Sequence, residues 1–147
     1  MNTPDTIAER EAEIIEEFSM FDEWLDKYEH IIELGKSLEP MPSELHADQW
    51  KVKGCQSQVW LHPVRQGDAL VFQADSDAAI TKGLVALMVR VLSGQPCRAI
   101  AQAPLSFLDR IGLHEHLSPT RSNGLASMVK QMKLYAAAIA SQEASHG

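Results

Sequence analysis

Apolar residues recur at helical spacing over much of the chain. Ile7, Ile14, Ile15 and Phe18 share one period, and Thr3 before Pro4 predicts where that helix begins. Trp24, Leu25, Tyr28, Ile31, Ile32 and Leu38 form one broad stripe, which predicts a second helix over 22–38, stopped by Gly35, Pro40 and Pro42. The pattern then breaks. Residues 39–57 read as a long loop with a short helical turn and a short strand near Gln49–Val52. Two β-rich runs, Val59–His62 and Ala69–Gln73, flank Gly67-Asp68 and predict a hairpin, with Pro63 marking an edge strand or a bulge.

From Ala78 to about Leu92 nearly every position is apolar, as expected of a helix in the middle of a core. Asp75, Ser76 and Asp77 supply capping oxygens for its start. Ser93-Gly94 ends it, and short helices are expected over 96–102 and 105–111. A last helix starts at Ser118-Pro119, with Leu125, Met128, Val129, Met132, Tyr135 and Ile139 on one face; residues 142–147 are expected to be a loose tail. Helices, then a small antiparallel sheet, then helices again give an α+β class and a single domain over 1–147.

Composition sharpens this picture only a little. Hydrophobic residues make up 45% and charged residues 22%, which excludes a disordered, collagen-like or rod-like chain. No run reaches the ~18–20 apolar residues of a membrane span, and Met1–Asp5 lacks the pattern of a secretory leader. Cys55 and Cys97 are too few for a disulfide framework, so a reducing, cytoplasmic setting is expected. Net charge is −7, against any sequence-independent grip on nucleic acid or anionic membrane. It is unevenly spread: residues 1–50 hold 3 basic and 14 acidic side chains, and residues 51–147 hold 10 and 6.

Candidate chemistry is sparse. There is no phosphate-binding glycine loop, His-Glu-x-x-His pair or Gly-x-Ser-x-Gly elbow. His114 and His116 point to different sides of a helix, and no CxxC occurs, so no metal site is expected. Gly54 gives the backbone freedom to present Cys55 at a loop tip; Gln56, Ser57 and Gln58 are polar company for a structural cysteine. Lys51 and Lys53 are near enough in sequence to favour the thiolate. Cys97 falls in the first turn of a helix opened by Pro96, where the dipole and Arg98 lower a thiol pKa, although Ala99, Ile100 and Ala101 look like packing. Local chemistry leaves the two cysteines unranked.

The stretch Gly54-Cys55-Gln56-Ser57-Gln58-Val59-Trp60 changes that. With Asp75-Ser76-Asp77-Ala78 leading to Gly83-Leu84, with Tyr28-x-x-Ile31-Ile32-Glu33-Leu34-Gly35 upstream, and with Leu113-x-x-His116-Leu117-Ser118-Pro119-x-Arg121-x-x-Gly124-Leu125 downstream, the chain resembles the SufE family over about residues 18–140. It departs at Ala74, where that family usually has glycine; no reactive group is lost. The resemblance implies the SufE/NifU (IscU-like) fold, with a three-stranded antiparallel sheet and helices around it. It implies that Cys55 accepts persulfide sulfur from a PLP-dependent cysteine desulfurase, stimulates that enzyme, and passes the sulfur to an iron–sulfur scaffold complex. Such a protein is no stand-alone enzyme and has no cofactor of its own, the PLP belonging to the desulfurase. Gly54, Gln56 and Ser57 are then loop supports, Val59, Trp60 and Leu61 candidate apolar shelter, and Asp77 and Arg121 fold or partner-surface residues. Rival readings are an iron–sulfur scaffold, which needs several cysteine ligands; a thiol enzyme with Cys97 as resolving cysteine; and an interaction domain with an inert Cys55.

Overall fold

The computed structural model describes residues 6–146. Helix α1 spans Ile7–Phe18, and the Thr3 start lies outside the described residues. Thr6 closes its first turn: the Thr6 hydroxyl accepts the Glu9 N–H at 3.1 Å, while the Glu9 carboxylate accepts the Thr6 N–H at 3.2 Å. Helix α2, Trp24–Lys36, is slightly shorter than its apolar stripe. The connection that follows holds two 3₁₀ turns, Ser43–Leu45 and Asp48–Trp50. Instead of a strand over Gln49–Val52 there is only an isolated bridge from Lys51 to Trp60.

Strands β1, Val59–Gln66, and β2, Ala69–Ser76, pair antiparallel around Gly67-Asp68, with Gln66 opposite Ala69. Gly67 has φ 64°, which a two-residue hairpin turn needs and glycine adopts without strain. The third strand, β3, is Gln95–Pro96, added to the other side of β2, so the order is β1-β2-β3. Pro63 therefore sits on an edge strand, as its missing N–H requires. Val59, Leu61, Leu70, Phe72 and Ala74 point into the core.

Helix α3, Ala79–Leu92, lies across that inner face and against α2. Its start is not side-chain capped. Asp75 and Ser76 are the last residues of β2, paired with Trp60 and Val59, and Asp77 bonds elsewhere, so the acidic triplet stops a strand rather than starting a helix. Where α2 crosses α3, two glycines meet: a methyl on Gly83 would collide with the Ile31 carbonyl oxygen, and one on Gly35 would stand 2.7 Å from the Gly83 nitrogen. The helices touch backbone to backbone. On the far side Arg90 binds Glu13 at 2.6 Å and Glu17 at 3.0 Å, and Glu17 also takes His30 at 2.6 Å. Burial works to raise the Glu17 pKa, but Arg90 and His30 outweigh it and hold the carboxyl below its ordinary value.

Short helices α4, Cys97–Gln102, α5, Phe107–Arg110, and α6, Leu113–His116, lead to α7, Pro119–His146. The expected loose tail is helical through 146, because nothing after Gly124 interrupts it: Leu125–His146 contains neither glycine nor proline.

Candidate functional site

Cys55 stands at the tip of a pinched loop. The Val52 N–H bonds the Val59 carbonyl at 2.8 Å, closing the base, and Gly54 takes φ 94°, which turns the chain at the tip. The trailing limb is clamped twice to the end of β2. The Gln58 N–H donates to the Asp77 carboxylate at 2.9 Å, and the Asp77 N–H donates to the Gln58 carbonyl at 3.2 Å. Asp77 is thus a loop anchor. Ser57 accepts a long 3.5 Å bond from the Thr81 hydroxyl on α3, and Gln56 is exposed at the rim.

The tip leans on α7. Cys55 Sγ donates to the Gly124 carbonyl at 3.4 Å, and a methyl on Gly124 would lie 3.6 Å from that sulfur. A methyl on Gly54 would lie 2.5 Å from the Ser127 hydroxyl oxygen. Glycine on both sides lets loop and helix approach. Beside the thiol lies a cavity of about 390 Å³. Its apolar wall is Leu84 from α3 with Leu125 and Met128 from α7; its polar wall is Ser57, Thr81, Thr120 and Arg121. Val59, Trp60 and Leu61 are not part of this shelter. Val59 and Leu61 face the core on the inner side of the sheet, and Trp60 packs edge-on to His46.

Arg121 enters the cavity lining and donates to the Tyr28 hydroxyl at 3.4 Å. Tyr28 packs edge-on to Trp24, which stacks on His116 at 4.2 Å. His30 is tied to Glu17, His46 to Asp75 at 2.8 Å and His62 to Gln73 at 2.9 Å, and none of them lines the cavity. Among the described residues no carboxylate or imidazole lines the cavity beside the thiol.

Electrostatics around Cys55 run opposite to the expectation from Lys51 and Lys53. Lys51 pairs with Asp48 at 3.4 Å, and half-burial is what moves the thiol, pushing its pKa up. At rest Cys55 is a protonated, hydrogen-bonded thiol. Cys97 is set apart: it is buried in the core, and its N–H donates to the Asp68 carbonyl at 2.9 Å, helping to hold β3 in place. Neither Cys55 nor Cys97 is in a disulfide. Among the described residues no group of three or more His, Cys, Asp or Glu is placed to hold a metal, and no helix is long and apolar enough to cross a membrane.

Sequence reasoning missed most of the cavity. Gly124 and Leu125 lay within a motif but carried no assigned role, and nothing local marked Thr81, Leu84 or Met128 as neighbours of Cys55.

Comparison with known proteins gives consistent matches. The family model described as "SufE: Fe-S metabolism associated domain" matches residues 12–136. An uncharacterised SufE-like protein of Rhizobium meliloti is 44% identical over 126 residues, covering 82% of this chain and 90% of the relative. The sulfur acceptor protein CsdE of Escherichia coli is 36% identical over 113 residues, covering 76% and 77%. The chloroplastic/mitochondrial SufE-like protein 1 of Arabidopsis thaliana is 41% identical, but the match spans 33% of that longer chain. A solution structure of a hypothetical protein from Thermus thermophilus superposes with a TM-score of 0.71 at 20% identity, covering 86% of this chain and 93% of that one, which shows the shared fold.

Proposed function

Since the chain belongs to the SufE family, we propose that it is a sulfur acceptor that takes persulfide sulfur from a PLP-dependent cysteine desulfurase onto Cys55. The observation that carries this reading is the half-buried, protonated Cys55 thiol at a loop tip beside a ready-made cavity. The transfer is an exchange at sulfur. Cys55 gives up its proton, its thiolate attacks the outer sulfur of the desulfurase persulfide, and the desulfurase cysteine leaves as thiolate. One S–S bond forms as another breaks, so no outside oxidant or reductant is needed.

Half-burial gives this carrier its control. With the thiol pKa raised, little thiolate exists while the loop is seated. Moving the tip off Gly124 removes the burial that this chain imposes on the thiol, so the nucleophile ionises more readily. Seated again, the persulfide carries its outer sulfur about 2.05 Å beyond Sγ, towards the cavity and away from stray thiols. Asp77 clamps one limb of the loop, Gly54 allows the other to turn, and Gln56 and Ser57 sit on the rim where a partner approaches. Arg121 borders the same cavity, a suitable counter-charge for an anionic persulfide. Delivery to an iron–sulfur scaffold repeats the exchange in the other direction. The protein then works without a cofactor of its own and turns over nothing alone, and two cysteines outside any disulfide suit a reducing, cytoplasmic compartment.

The test is a desulfurase supplied with cysteine. Wild-type protein should raise alanine release, and mass spectrometry should find one extra sulfur on the peptide containing Cys55. Cys97→Ala should behave alike, and Cys55→Ser should accept nothing. Full stimulation by Cys55→Ser would make the protein an allosteric activator and end the carrier reading.

A further inference from the structure

On the face of α7 turned away from Cys55, a groove of about 600 Å³ runs between that helix and the α4–α5 segment. Leu105 and Leu108 line one side, Val129 and Leu134 the other, and Leu134 is 52% exposed. Leu105 is a non-glycine residue at φ 54°, a strained conformation of the kind that gathers at functional surfaces. The charged lining residues are Lys130, Lys133 and Asp109. Neither lysine enters an ion pair among the described residues. Along α7 no acidic residue occurs before Glu143, although the chain as a whole carries −7. The groove is therefore an apolar trough with a basic rim on an otherwise acidic protein.

We infer that this groove is a docking site for an acidic amphipathic helix of a partner protein, and that its occupation is felt at Cys55 through Leu125. An apolar stripe spaced i, i+3, i+4, i+7 fills such a trough, and carboxylates beside it meet Lys130 and Lys133. The chain's own acidic amphipathic helix is not free to serve in a second copy. The apolar face of α1, with Ile7, Ile14 and Phe18, is already buried in its own core. Leu125, itself buried, lines both the groove and the Cys55 cavity. A helix seated in the groove backs that shared wall, so the cavity yields less readily and the thiol emerges less often. The inference goes beyond sulfur transfer and its test needs no desulfurase.

The probe is a fluorescent helical peptide of about fifteen residues, with leucine at the four anchor positions and glutamate on its flanks. Titrated with the full chain at low salt, it should bind about tenfold more tightly than the same peptide with lysine for glutamate, and the difference should shrink as salt rises. Lys130→Glu with Lys133→Glu should invert the preference, which also shows that the variant is folded. Saturating peptide should slow Cys55 alkylation by iodoacetamide at least twofold, as judged against the order-of-magnitude range of coupling between sites. Equal binding of both peptides, or a preference untouched by the lysine reversal, overturns the docking site. Unchanged alkylation overturns the coupling. Self-association that Leu134→Glu abolishes would assign the groove to a second copy and overturn the proposed occupant. Sulfur acceptance by Cys55 would survive each of these failures.

Discussion

Replacing Gly124 by alanine should make the protein more stable and a worse sulfur carrier. Inside a helix alanine is favoured over glycine by about 1 kcal/mol. The new methyl would lie 3.6 Å from Cys55 Sγ and 3.9 Å from Cα and Cβ of Cys55, ordinary contact distances, so no collision cancels that gain. For a chain of this size, about 1 kcal/mol raises Tm by roughly 2–4 °C. The same methyl sits where a seated persulfide needs room, because the outer sulfur extends about 2.05 Å beyond Sγ. If crowding costs the sheltered persulfide about 1 kcal/mol, its exposed fraction rises about fivefold. The assay loads Cys55 with a desulfurase and cysteine, removes both, adds glutathione, and follows the extra sulfur by intact mass. Sulfur should be lost several times faster from Gly124→Ala than from wild type, while calorimetry reports the higher Tm. A lower Tm would show that the helix and loop have no room for a methyl. A higher Tm with an unchanged persulfide lifetime would remove the cavity from the mechanism.

Asp77→Ala deletes the acceptor for the Gln58 N–H, a bond worth about 0.5–1.5 kcal/mol. Cys55 alkylation should accelerate by about two- to tenfold, and Asp77→Asn, which keeps an acceptor oxygen, should stay near wild type. An Asp77→Ala rate equal to wild type would mean that the clamp does not restrain the tip. Alkylation of Cys55 in the folded chain should have its pH midpoint above that of the urea-unfolded chain, near pH 8.5. The raised thiol pKa adds stability that is complete below the unfolded value and lost as pH climbs through the folded one. Cys55→Ser should therefore flatten the alkaline fall in stability, and an identical fall would refute the assignment. Glu17 and Asp75 act with the opposite sign: burial raises both, but bonds from Arg90 and His30 to Glu17, and from His46, the Ser76 N–H and Lys82 to Asp75, win and lower them. Their contribution is present above about pH 4 and lost as pH falls through the folded values. Gly83→Ala should destabilise despite better helix propensity, because backbone on backbone cannot rotate aside: overpacking costs about 1–3 kcal/mol or more against a gain of about 1 kcal/mol. Urea unfolding measures it, and greater stability would refute the close crossing of α2 and α3.

What could be read in the sequence followed the range of the forces involved. Helices α2, α3 and α7 and the β1–β2 hairpin were legible because their periodicity and turn residues are local. The third strand had no local signal, because Gln95–Pro96 is a strand only through pairing with Ala69 and Leu70, some two dozen residues earlier. The acidic triplet misled for a related reason: capping oxygens count only where a helix starts, and pairing with β1 carries β2 through Ser76. At the site, Gly54 and Cys55 stood out by themselves. The thiol's electrostatics did not, because Lys51 and Lys53 are near in sequence while the burial that moves the pKa comes from α3 and α7. Ranking Cys55 over Cys97 took the family motif, since the burial of Cys97 in the core depends on tertiary packing.

The hydrogen bond from Cys55 to Gly124 spans 69 residues of sequence. During synthesis at about 5–20 residues per second, the loop therefore precedes its resting wall by roughly 3–14 s. Over that interval neither α7 nor the cavity exists, and the thiol titrates like one in an unfolded chain. The nascent loop is chemically open before it is regulated, because the helix that closes over it is made later. Any truncation short of Gly124 would leave the loop sequence whole and its reactivity ungoverned.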